Sequence, residues 1–460
     1  MSENYSRIKI DGIITTQTEM TVASGLQESQ SSIEDSPLHS EICLDFNDKP
    51  YIPGSSLRGL LVNLCPDTTL REILFGGGGE NSSSEGKVRI YDAVWGENAN
   101  YEKGQQHTHS SINPMTGTAK DHHLFNDAIV PLQSQFNWTI EANNIAHIEL
   151  EYLYGLLYSL HHNPQVQLGK GQSKQSGLFN WQAKSKKIDI LSQTSLINWL
   201  KQEDNKSFCY IQKKIKPKTI ELKIELTEYP LTFTALSPIL INDPERVSGE
   251  SEKPSLVYYQ KGQQLIIPAS SFKGVIRSHC RKIILTLIMA DKEGYPKNSD
   301  NKLANKLLAE LFGDTNQKSR IWTQDVIAEN TESKIQTFNA VDRFTGGIAD
   351  SALYKVEGAA PNRLTTVLII DQAPKRYSVL KAWQKGLLAL LLKDAIEGDL
   401  TVGWGKAKGY GSIQLTTVNI KGEEKDWNAI IKHFGEETIQ QWLNNLNEEC
   451  QTCPKEKECA

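Results

Sequence analysis

The sequence lacks a long apolar run and an excess of charge of one sign. Its richest apolar stretch, GLLALLL at residues 386–392, ends at Lys393 and is much shorter than the roughly 18 residues of a membrane-spanning helix. The beginning of the chain, MSENYSRIKIDG, contains no apolar signal core. We therefore expect a cytoplasmic protein with no membrane partner. The 50 basic and 55 acidic residues give a formal charge of −5, so a nucleic-acid site would have to come from locally placed Lys and Arg.

Cysteine is also scarce, with seven in 460 residues. Four are widely separated, and in a reducing compartment we expect small buried apolar side chains at Cys43, Cys65, Cys209 and Cys280. The other three form the pattern Cys450-x2-Cys453-x5-Cys459, whose first pair has zinc-like spacing. Three thiolates leave a tetrahedral zinc site incomplete. Its fourth ligand would be His433 or come from a partner chain, and a disordered tail with incidental thiols is the alternative.

The domain organisation follows from an internal repeat. With 38% apolar and 23% charged residues the chain is an ordinary globular protein, and at roughly 150 residues per domain it has about three domains or two large ones. Four features occur twice, in the same order and at similar spacings, which indicates a tandem duplication. The pairs are YIPGSSLRGLL and IIPASSFKGVIR (residues 51–61 and 266–277), LFG (74–76 and 311–313), TG (116–117 and 345–346) and the glycine loops GKGQSKQSGLF and GWGKAKGYGSI (169–179 and 403–413).

Each copy has the same coarse order of predicted elements. Alternating apolar positions predict a strand at residues 8–15 and at 220–234, and apolar positions at i, i+3 and i+4 predict a helix after each serine pair. A second helix, at 151–160 and 378–396, leads into the glycine loop and a final strand. This order fits a β-α-β-β-α-β plan of the ferredoxin or RNA-recognition type, so the predicted fold class is α+β. The predicted boundaries are 1–182 for the first domain, 183–218 for a linker, 219–416 for the second domain and 417–460 for a helical extension with the cysteine tail.

The IPxSSx[RK]G segment predicts a helix start that suits phosphate. A serine side chain caps the helix, and free N–H groups with a basic side chain one turn further on favour an anion. A capped helix without a ligand explains the pattern equally well. The residues are Ser55, Ser56 and Arg58 in the first copy and Ser270, Ser271 and Lys273 in the second.

The glycine loops predict contacts with a nucleic-acid backbone. Glycine permits positive φ values and a close approach of a ligand to backbone N–H groups. The pattern differs from the P-loop GxxxxGK[ST] and follows a predicted helix, so it does not favour a nucleoside triphosphate. The candidate RNA-binding residues are Lys170, Lys174, Lys406, Lys408 and Tyr410, with Trp404 as an alternative stacking residue.

In combination these motifs resemble the RAMP (repeat-associated mysterious protein) superfamily over residues 5–180 and 220–415. Within it, the chain is most similar to backbone subunits of type III CRISPR effector complexes, and two domains in one chain resemble the double subunit of a III-D-like system. The resemblance implies tandem RAMP domains, each with a β-hairpin thumb, that hold a CRISPR guide RNA together with other backbone subunits and a large subunit. Complementary target RNA is then cut at intervals of about six nucleotides.

The resemblance also implies which residues cut and distort the RNA. Cleavage needs a divalent metal, Mg²⁺ or Mn²⁺, and an Asp in a D-x-P loop before the IPGSS segment, which here is Asp35. Because the RNA 2′-OH is the nucleophile, cleavage needs in-line geometry, a cation that stabilises the phosphorane, and a carboxylate that holds the metal or accepts the 2′-OH proton. The expected products are a 2′,3′-cyclic phosphate and a 5′-OH. The thumbs are expected at residues 107–131 and 338–361, the second with Arg343 as an RNA contact.

The second copy departs from this pattern, because no Asp stands at the matching place before IPASS. Counting back from IPASS points to Glu252, while Asp243 lies further away in an apparently longer loop. Both are rival catalytic candidates. A second copy that binds RNA without cutting it is the alternative.

Two other functions stay open. One is an inert scaffold that holds the guide RNA while other subunits cut. The other is an endoribonuclease that processes repeat RNA, with general bases among the histidines near the first TG sequence: His107, His109, His122 and His123. The second copy has no such histidines, so polar loop residues are the simpler interpretation.

Overall fold

The computed structural model describes residues 4–28, 38–79, 82–96, 106–113, 118–162, 166–188, 197, 201, 208–210, 218–220, 226–243, 254–261, 264–290, 292–348, 353–372 and 379–451. The chain forms two compact units, Met1–Ile224 and Glu225–Ala460, and each combines helices with β-sheet. The predicted α+β class and tandem organisation are thereby confirmed, whereas the finer four-part division of the chain stays a prediction. Within the described ranges, no helix is both long enough and apolar enough to cross a membrane.

Unit 1 (Met1–Ile224) is organised around its first strand. Its elements are β1 (Asn4–Thr16), β2 (Ala23–Glu28), β3 (Leu38–Ile42), β4 (Tyr51–Ile52), α1 (Gly54–Leu64), α2 (Thr68–Phe75), β5 (Gly77–Gly79), β6 (Ser82–Ser84), β7 (Val88–Ile90), β8 (Ala93–Trp95), β9 (Gln106–Ile112), β10 (Ala119–Ala128), β11 (Gln135–Ala146), α3 (His147–His162), β12 (Phe179–Ile188) and β13 (Phe208–Tyr210). The main sheet has the order β13-β12-β1-β11-β8-β4, with β7 also paired to β11, and β1 is antiparallel to both of its neighbours. A second sheet has the order β2-β3-β10-β9, in which β9 and β10 are antiparallel and β3 is parallel to β10.

The core of unit 1 lies between the main sheet and its helices. Ile8, Ile10 and Ile14 of β1 share one face of the strand and are at most 1% exposed, as the two-residue period of a strand requires. Leu57 and Leu61 of α1 are four residues apart, on one face of the helix, and belong to the same buried cluster. The apolar spacing in the sequence therefore gives the expected strand and helix faces.

Unit 2 (Glu225–Ala460) contains a long β-hairpin. Its elements are β14 (Leu226–Ala235), β15 (Leu256–Val257), β16 (Gln260–Lys261), β17 (Gln264–Ile267), α4 (Ala269–Met289), α5 (Asn298–Phe312), β18 (Ile321–Thr323), β19 (Val326–Phe338), β20 (Tyr354–Asp371), α6 (Ala382–Glu397), β21 (Leu400–Thr401), β22 (Ser412–Ile420), β23 (Glu423–Lys425), α7 (Trp427–Phe434) and α8 (Glu436–Gln451). The sheet has the order β16-β17-β19-β20-β14-β22-β21; β15 and β18 also pair with β20, and β23 pairs with β22. The β19–β20 hairpin is paired from Ile327↔Thr365 to Phe338↔Tyr354.

The C-terminal helices are part of the core of unit 2. Leu446 and Cys450 of α8 are at most 2% exposed and belong to the same cluster as the sheet residues. Helix α8 approaches α6 closely at Gly386, where a Cβ atom would lie 2.4 Å from the Trp442 carbonyl oxygen. A glycine is therefore required at this crossing, because any side chain would push the helices apart.

The two units share the arrangement of their central strands. In unit 1, β1 lies between β11 and β12, and α3 connects those two strands. In unit 2, β14 lies between β20 and β22, and α6 lies between those strands in the chain. The repeated sequence features thus correspond to a repeated sheet and helix order.

Candidate nucleic-acid interface

The two glycine loops have the same backbone conformation. A short 3-10 turn spans Gln172–Lys174 in unit 1 and Lys406–Lys408 in unit 2. The glycine before each turn, Gly171 or Gly405, has φ +76°. In both units the N–H of the last turn residue donates to the carbonyl of that glycine at 2.7 Å. The predicted correspondence of these loops is therefore seen in their dihedral angles and internal bonds.

Each glycine loop is fixed to the segment that follows the first strand of its unit. The Lys170 N–H donates to the Thr21 carbonyl at 2.8 Å, and the Trp404 N–H donates to the Leu240 carbonyl at 2.7 Å. The last glycine of each loop adds a bond to the same segment, Gly177 to the Glu19 carbonyl (3.0 Å) and Gly411 to the Pro238 carbonyl (2.8 Å). Donors and acceptors occupy matching places in the two copies, so the duplication extends to single hydrogen bonds.

Four loop glycines are required by the chain's own backbone. At each of them φ lies between +74° and +83°, a region that favours glycine. A Cβ atom would lie 2.2 Å from the Thr21 oxygen at Gly169, 1.8 Å from the Leu168 oxygen at Gly177, 2.2 Å from the Leu240 oxygen at Gly403 and 1.9 Å from the Val402 oxygen at Gly411. The interpretation that these glycines admit a ligand is therefore corrected, because protein carbonyl groups already fill the space.

The lysines of the unit 1 loop lie beside a carboxylate. Lys170 Nζ is 3.6 Å from Oδ1 of Asp127 in β10. Burial lowers the pKa of the half-buried Lys174 ammonium group, Lys170 lowers it further, and Asp127 acts in the opposite direction. An ammonium group that has lost water interacts more strongly with an incoming anion. The Asp127 carboxylate acts against such an anion, and the contact of Lys170 and Lys174 with RNA stays a prediction.

The lysines of the unit 2 loop have different surroundings. Partial loss of solvent lowers the pKa of Lys406. Lys408 Nζ lies 4.7 Å from the ring centroid of Trp404, 5.1 Å from that of Tyr354 and 5.5 Å from that of Phe338. It also donates a hydrogen bond to the Tyr354 hydroxyl. Lys408 is thus engaged by aromatic side chains of its own unit while remaining exposed to solvent.

Tyr410 lies inside unit 2. It is 2% exposed, its hydroxyl donates to the Gln336 side-chain carbonyl, and burial raises its pKa. Its ring centroid is 5.6 Å from Trp404 and 6.0 Å from Phe338. A ring packed in this way does not favour stacking on a base.

The helix starts differ from the prediction that a serine caps them. Helices α1 and α4 begin at Gly54 and Ala269, and each N-cap is a proline that makes no side-chain cap bond. A carboxylate from a distant loop accepts the first N–H instead: Asp92 Oδ1 binds the Gly54 N–H at 2.6 Å, and Asp325 Oδ1 binds the Ala269 N–H at 2.7 Å. The serine N-caps were therefore wrong, because the serines lie within the first turn. The repeat search missed the two aspartates, although their spacing in the chain is close to that of the other repeated features.

This arrangement places the predicted serines and basic residues near an existing negative charge. The predicted serines Ser55, Ser56, Ser270 and Ser271 follow the capped N–H groups, and all but the half-buried Ser270 are exposed. Arg58 donates to the Phe75 carbonyl, and Lys273 Nζ donates to Ser319 Oγ at 2.8 Å. In the structure, these two basic side chains connect the helix start to the chain near each LFG sequence.

The hairpin of unit 2 ends in an exposed turn. Residues 339–348, including Arg343, are exposed, and Phe344 is fully exposed. Asp342 Oδ1 accepts the N–H groups of Phe344 (2.7 Å) and Thr345 (3.1 Å), and these bonds lower its pKa. In unit 1, β9 and β10 contain the four histidine positions, and residues 114–117 of their connection lie outside the described part of the chain.

Hydrogen bonds on either side of the candidate catalytic loop align the two copies. The Cys43 N–H donates to the Val22 carbonyl at 2.9 Å, and the Tyr259 N–H donates to the Ile241 carbonyl at 2.6 Å. Positions 22 and 43 therefore enclose the loop in unit 1, and positions 241 and 259 enclose it in unit 2. The second loop is three residues shorter than the first, and the expectation of a longer loop was wrong.

This alignment distinguishes the rival acids of unit 2. Asp243 corresponds to Ser24, at the start of the loop, whereas the D-x-P position lies well inside it. It is 7% exposed, and its N–H donates to the Val257 carbonyl at 2.8 Å. Asp35 and Glu252 lie outside the described residues. Of these three candidates, the structure thus locates Asp243 alone, as a buried residue.

The described cysteine side chains are buried. Cys43, Cys65 and Cys280 are free buried thiols, as expected. Cys450 is buried as well, and burial, with a smaller effect of Glu449, raises its pKa to about 11. The zinc site at the C-terminal cysteines stays a prediction. The side chain of Cys209, and the whole of Cys453 and Cys459, lie outside the described part of the chain.

Comparison with known families agrees with this duplicated architecture. A family model of the RAMP superfamily matches residues 13–180 and 232–414, and these two regions include both helix starts and both glycine loops. The chain therefore belongs to the RAMP superfamily. A comparison with curated proteins gives no match. Membership of the superfamily points to a CRISPR-associated RNA-binding protein.

Proposed function

We propose that the chain is a double backbone subunit of a type III CRISPR effector, of the III-D-like kind, which holds guide RNA and cleaves complementary target RNA. The observation that carries this proposal is the glycine loop that occurs once in each RAMP unit with the same hydrogen bonds. Two equal loops in one chain provide two equivalent contacts along a single RNA strand. The partners in this proposal are the guide RNA, the target RNA, further backbone subunits and a large subunit.

The hairpins β9–β10 and β19–β20 are the proposed thumbs, inserted into two ferredoxin-like domains. The β9–β10 hairpin overlaps the predicted segment 107–131, whereas the predicted segment 338–361 covers only the outer part of β19–β20. The turn of β19–β20 is exposed, and Asp342 stabilises it through two backbone bonds. In this proposal each thumb displaces one base in about six, so that the backbone of the bound RNA is bent at regular intervals. Bending of this kind supplies the in-line geometry that cleavage needs.

Cleavage is assigned to Asp35 in unit 1. The RNA 2′-OH loses its proton and attacks the adjacent phosphorus, the bond from phosphorus to the 5′-oxygen breaks, and that oxygen gains a proton. Asp35 accepts the proton of the 2′-OH or holds Mg²⁺ or Mn²⁺, which would supply positive charge next to the phosphate. The metal belongs to the proposal alone, since the buried Asp243 offers no open carboxylate and Asp35 lies outside the described residues.

In unit 2 we exclude Asp243 as the catalytic residue and keep Glu252 as the candidate. Asp243 is buried and corresponds to Ser24, so we assign it no part in cleavage. Glu252 remains the candidate for a second cut, and without a cut unit 2 binds RNA only. Glu252→Gln in the assembled complex decides between these two cases, because only a cutting unit 2 loses a product.

The test of the proposed function is target cleavage by the assembled complex. Cleavage at regular intervals gives a ladder of target-RNA products. We expect Asp35→Asn to remove one product of this ladder, with a rate loss of about 10²-fold or more at that position and unchanged affinity for target RNA. Glu34→Gln, which removes a charge from the neighbouring residue, is the matched control and should leave the ladder unchanged. An unchanged ladder with Asp35→Asn would instead support the inert scaffold. Specific cleavage of repeat RNA by the chain alone would support the processing enzyme.

A further inference from the structure

The ammonium group of the exposed Lys408 lies beside three aromatic rings of unit 2. The rings of Phe338 and Tyr354 are stacked, with centroids 5.5 Å apart, and Trp404 meets them edge-on at 5.8 Å and 6.5 Å. The Lys408 ammonium group lies within 5.5 Å of all three centroids. We refer to Phe338, Tyr354 and Trp404 as the aromatic cage. The face of an aromatic ring is negative and attracts a cation, which applies here to Trp404 and Phe338. Lys408 contacts Tyr354 through its hydroxyl group, to which it donates a hydrogen bond.

The aromatic cage joins two elements that are distant in the sequence. Phe338 and Tyr354 are the last paired residues of β19 and β20, so they form the base of the connection at residues 339–353. Trp404 and Lys408 belong to the glycine loop, which is itself bonded to the Leu240 carbonyl. Lys408 therefore connects a fixed loop to the point where the hairpin turn begins.

Unit 1 has a different connection at the same place. Lys170 of its glycine loop forms an ion pair with Asp127 of β10, the returning strand of its hairpin. In unit 2, Trp404 stands at the position of Lys170, and Lys408 reaches Tyr354 of the returning strand β20. Each glycine loop is thus connected to the returning strand by a lysine, through a carboxylate in unit 1 and through aromatic rings in unit 2.

We propose that Lys408 is a positioning residue that fixes the base of the β19–β20 hairpin against the glycine loop before any RNA is bound. Its buried neighbour Tyr410 donates to Gln336 of β19, whereas Lys408 contacts both residues of the outermost pair, Phe338 and Tyr354. The consequence for RNA, a thumb already held in place, rests on the proposed function. The positioning itself is a property of the free chain.

Hydrogen exchange in the full-length chain without RNA tests this proposal. Lys408→Met keeps the apolar stem and removes the charge, and we expect exchange of the amides at 334–338 and 354–358 to become about ten-fold faster. Lys408→Arg keeps a cation that stacks on rings and should restore exchange close to the rate of the original protein. Lys406→Met removes the same charge two residues away in the same turn and should leave these amides unchanged.

Three results would overturn the proposal: no change with Lys408→Met, the same change with Lys406→Met, or no rescue by Lys408→Arg. Trp404→Phe provides a second variant in case Lys408→Met does not fold. It keeps the charge and weakens one ring contact, so exchange at the hairpin base should rise a few-fold, and an unchanged rate would count against the cage. Because none of these measurements uses RNA, a chain that does not bind RNA would refute the proposed function and leave this inference to be judged by exchange alone.

Discussion

At the residue scale, the glycines of the two loops are not all required for the same physical reason. Gly411 combines φ +82° with a position where a Cβ atom would lie 1.9 Å from the Val402 oxygen. Gly409 has a similar φ of +77°, but no atom lies within 4 Å of the place of a Cβ. Gln175, at the matching place in unit 1, has φ +59° and shows that a side chain is accommodated there. The GxG spacing indicated a loop, but spacing alone did not show which glycine faces a carbonyl group.

Gly411→Ala should therefore destabilise unit 2 much more than a change at Gly409. We expect a loss of about 2–4 kcal/mol in the free energy of unfolding, because a strained φ and a steric clash act together. Gly409→Gln introduces the residue that unit 1 carries at this place and should cost about 1 kcal/mol or less. Urea denaturation of both variants checks this, and equal losses would contradict our interpretation of the loop.

At the scale of the elements, the most instructive difference from the sequence prediction is the capping of α1 and α4. The apolar positions at i, i+3 and i+4 predicted both helices, because those side chains form one face. The capping groups were not found, since Asp92 and Asp325 lie 38 and 56 residues from the N–H groups that they bind. A bond over such a distance depends on the folded sheet, and no local pattern describes it.

Removing these carboxylates should destabilise the helix starts. Asp325→Ala leaves the Ala269 N–H without its partner and removes a charge that interacts favourably with the helix dipole, so we expect a loss of about 1–2 kcal/mol. Asp92→Ala should have a similar effect in unit 1. The controls are Ser55→Ala and Ser271→Ala, which thermal or urea denaturation should find nearly unchanged. A larger loss for the serine variants would restore the serines as caps.

At the scale of the whole molecule, the duplication was predictable because four features recur in one order, and the structure extends it to the hydrogen bonds of the glycine loops. The difference between the two units could not be predicted from the sequence. Asp127 faces Lys170 in unit 1, and the aromatic cage lies beside Lys408 in unit 2, and both depend on strands that approach the loop only in the fold. The sequence left Asp243 and Glu252 as rival catalytic candidates. The hydrogen bonds align Asp243 with Ser24 and therefore favour Glu252.

The central claim is that two equivalent units hold one RNA strand, and the salt dependence of RNA binding by the full-length chain tests it most directly. The variants are Lys170→Ala with Lys174→Ala in unit 1, Lys406→Ala with Lys408→Ala in unit 2, and all four together. Lys282→Ala with Lys302→Ala, on exposed positions of α4 and α5, is the control for charge alone. We predict that each loop pair lowers the slope by about one unit for every phosphate that it no longer neutralises, that the fourfold variant shows the sum, and that the control has little effect. Absence of RNA binding, or a slope that depends on one loop only, would contradict the claim.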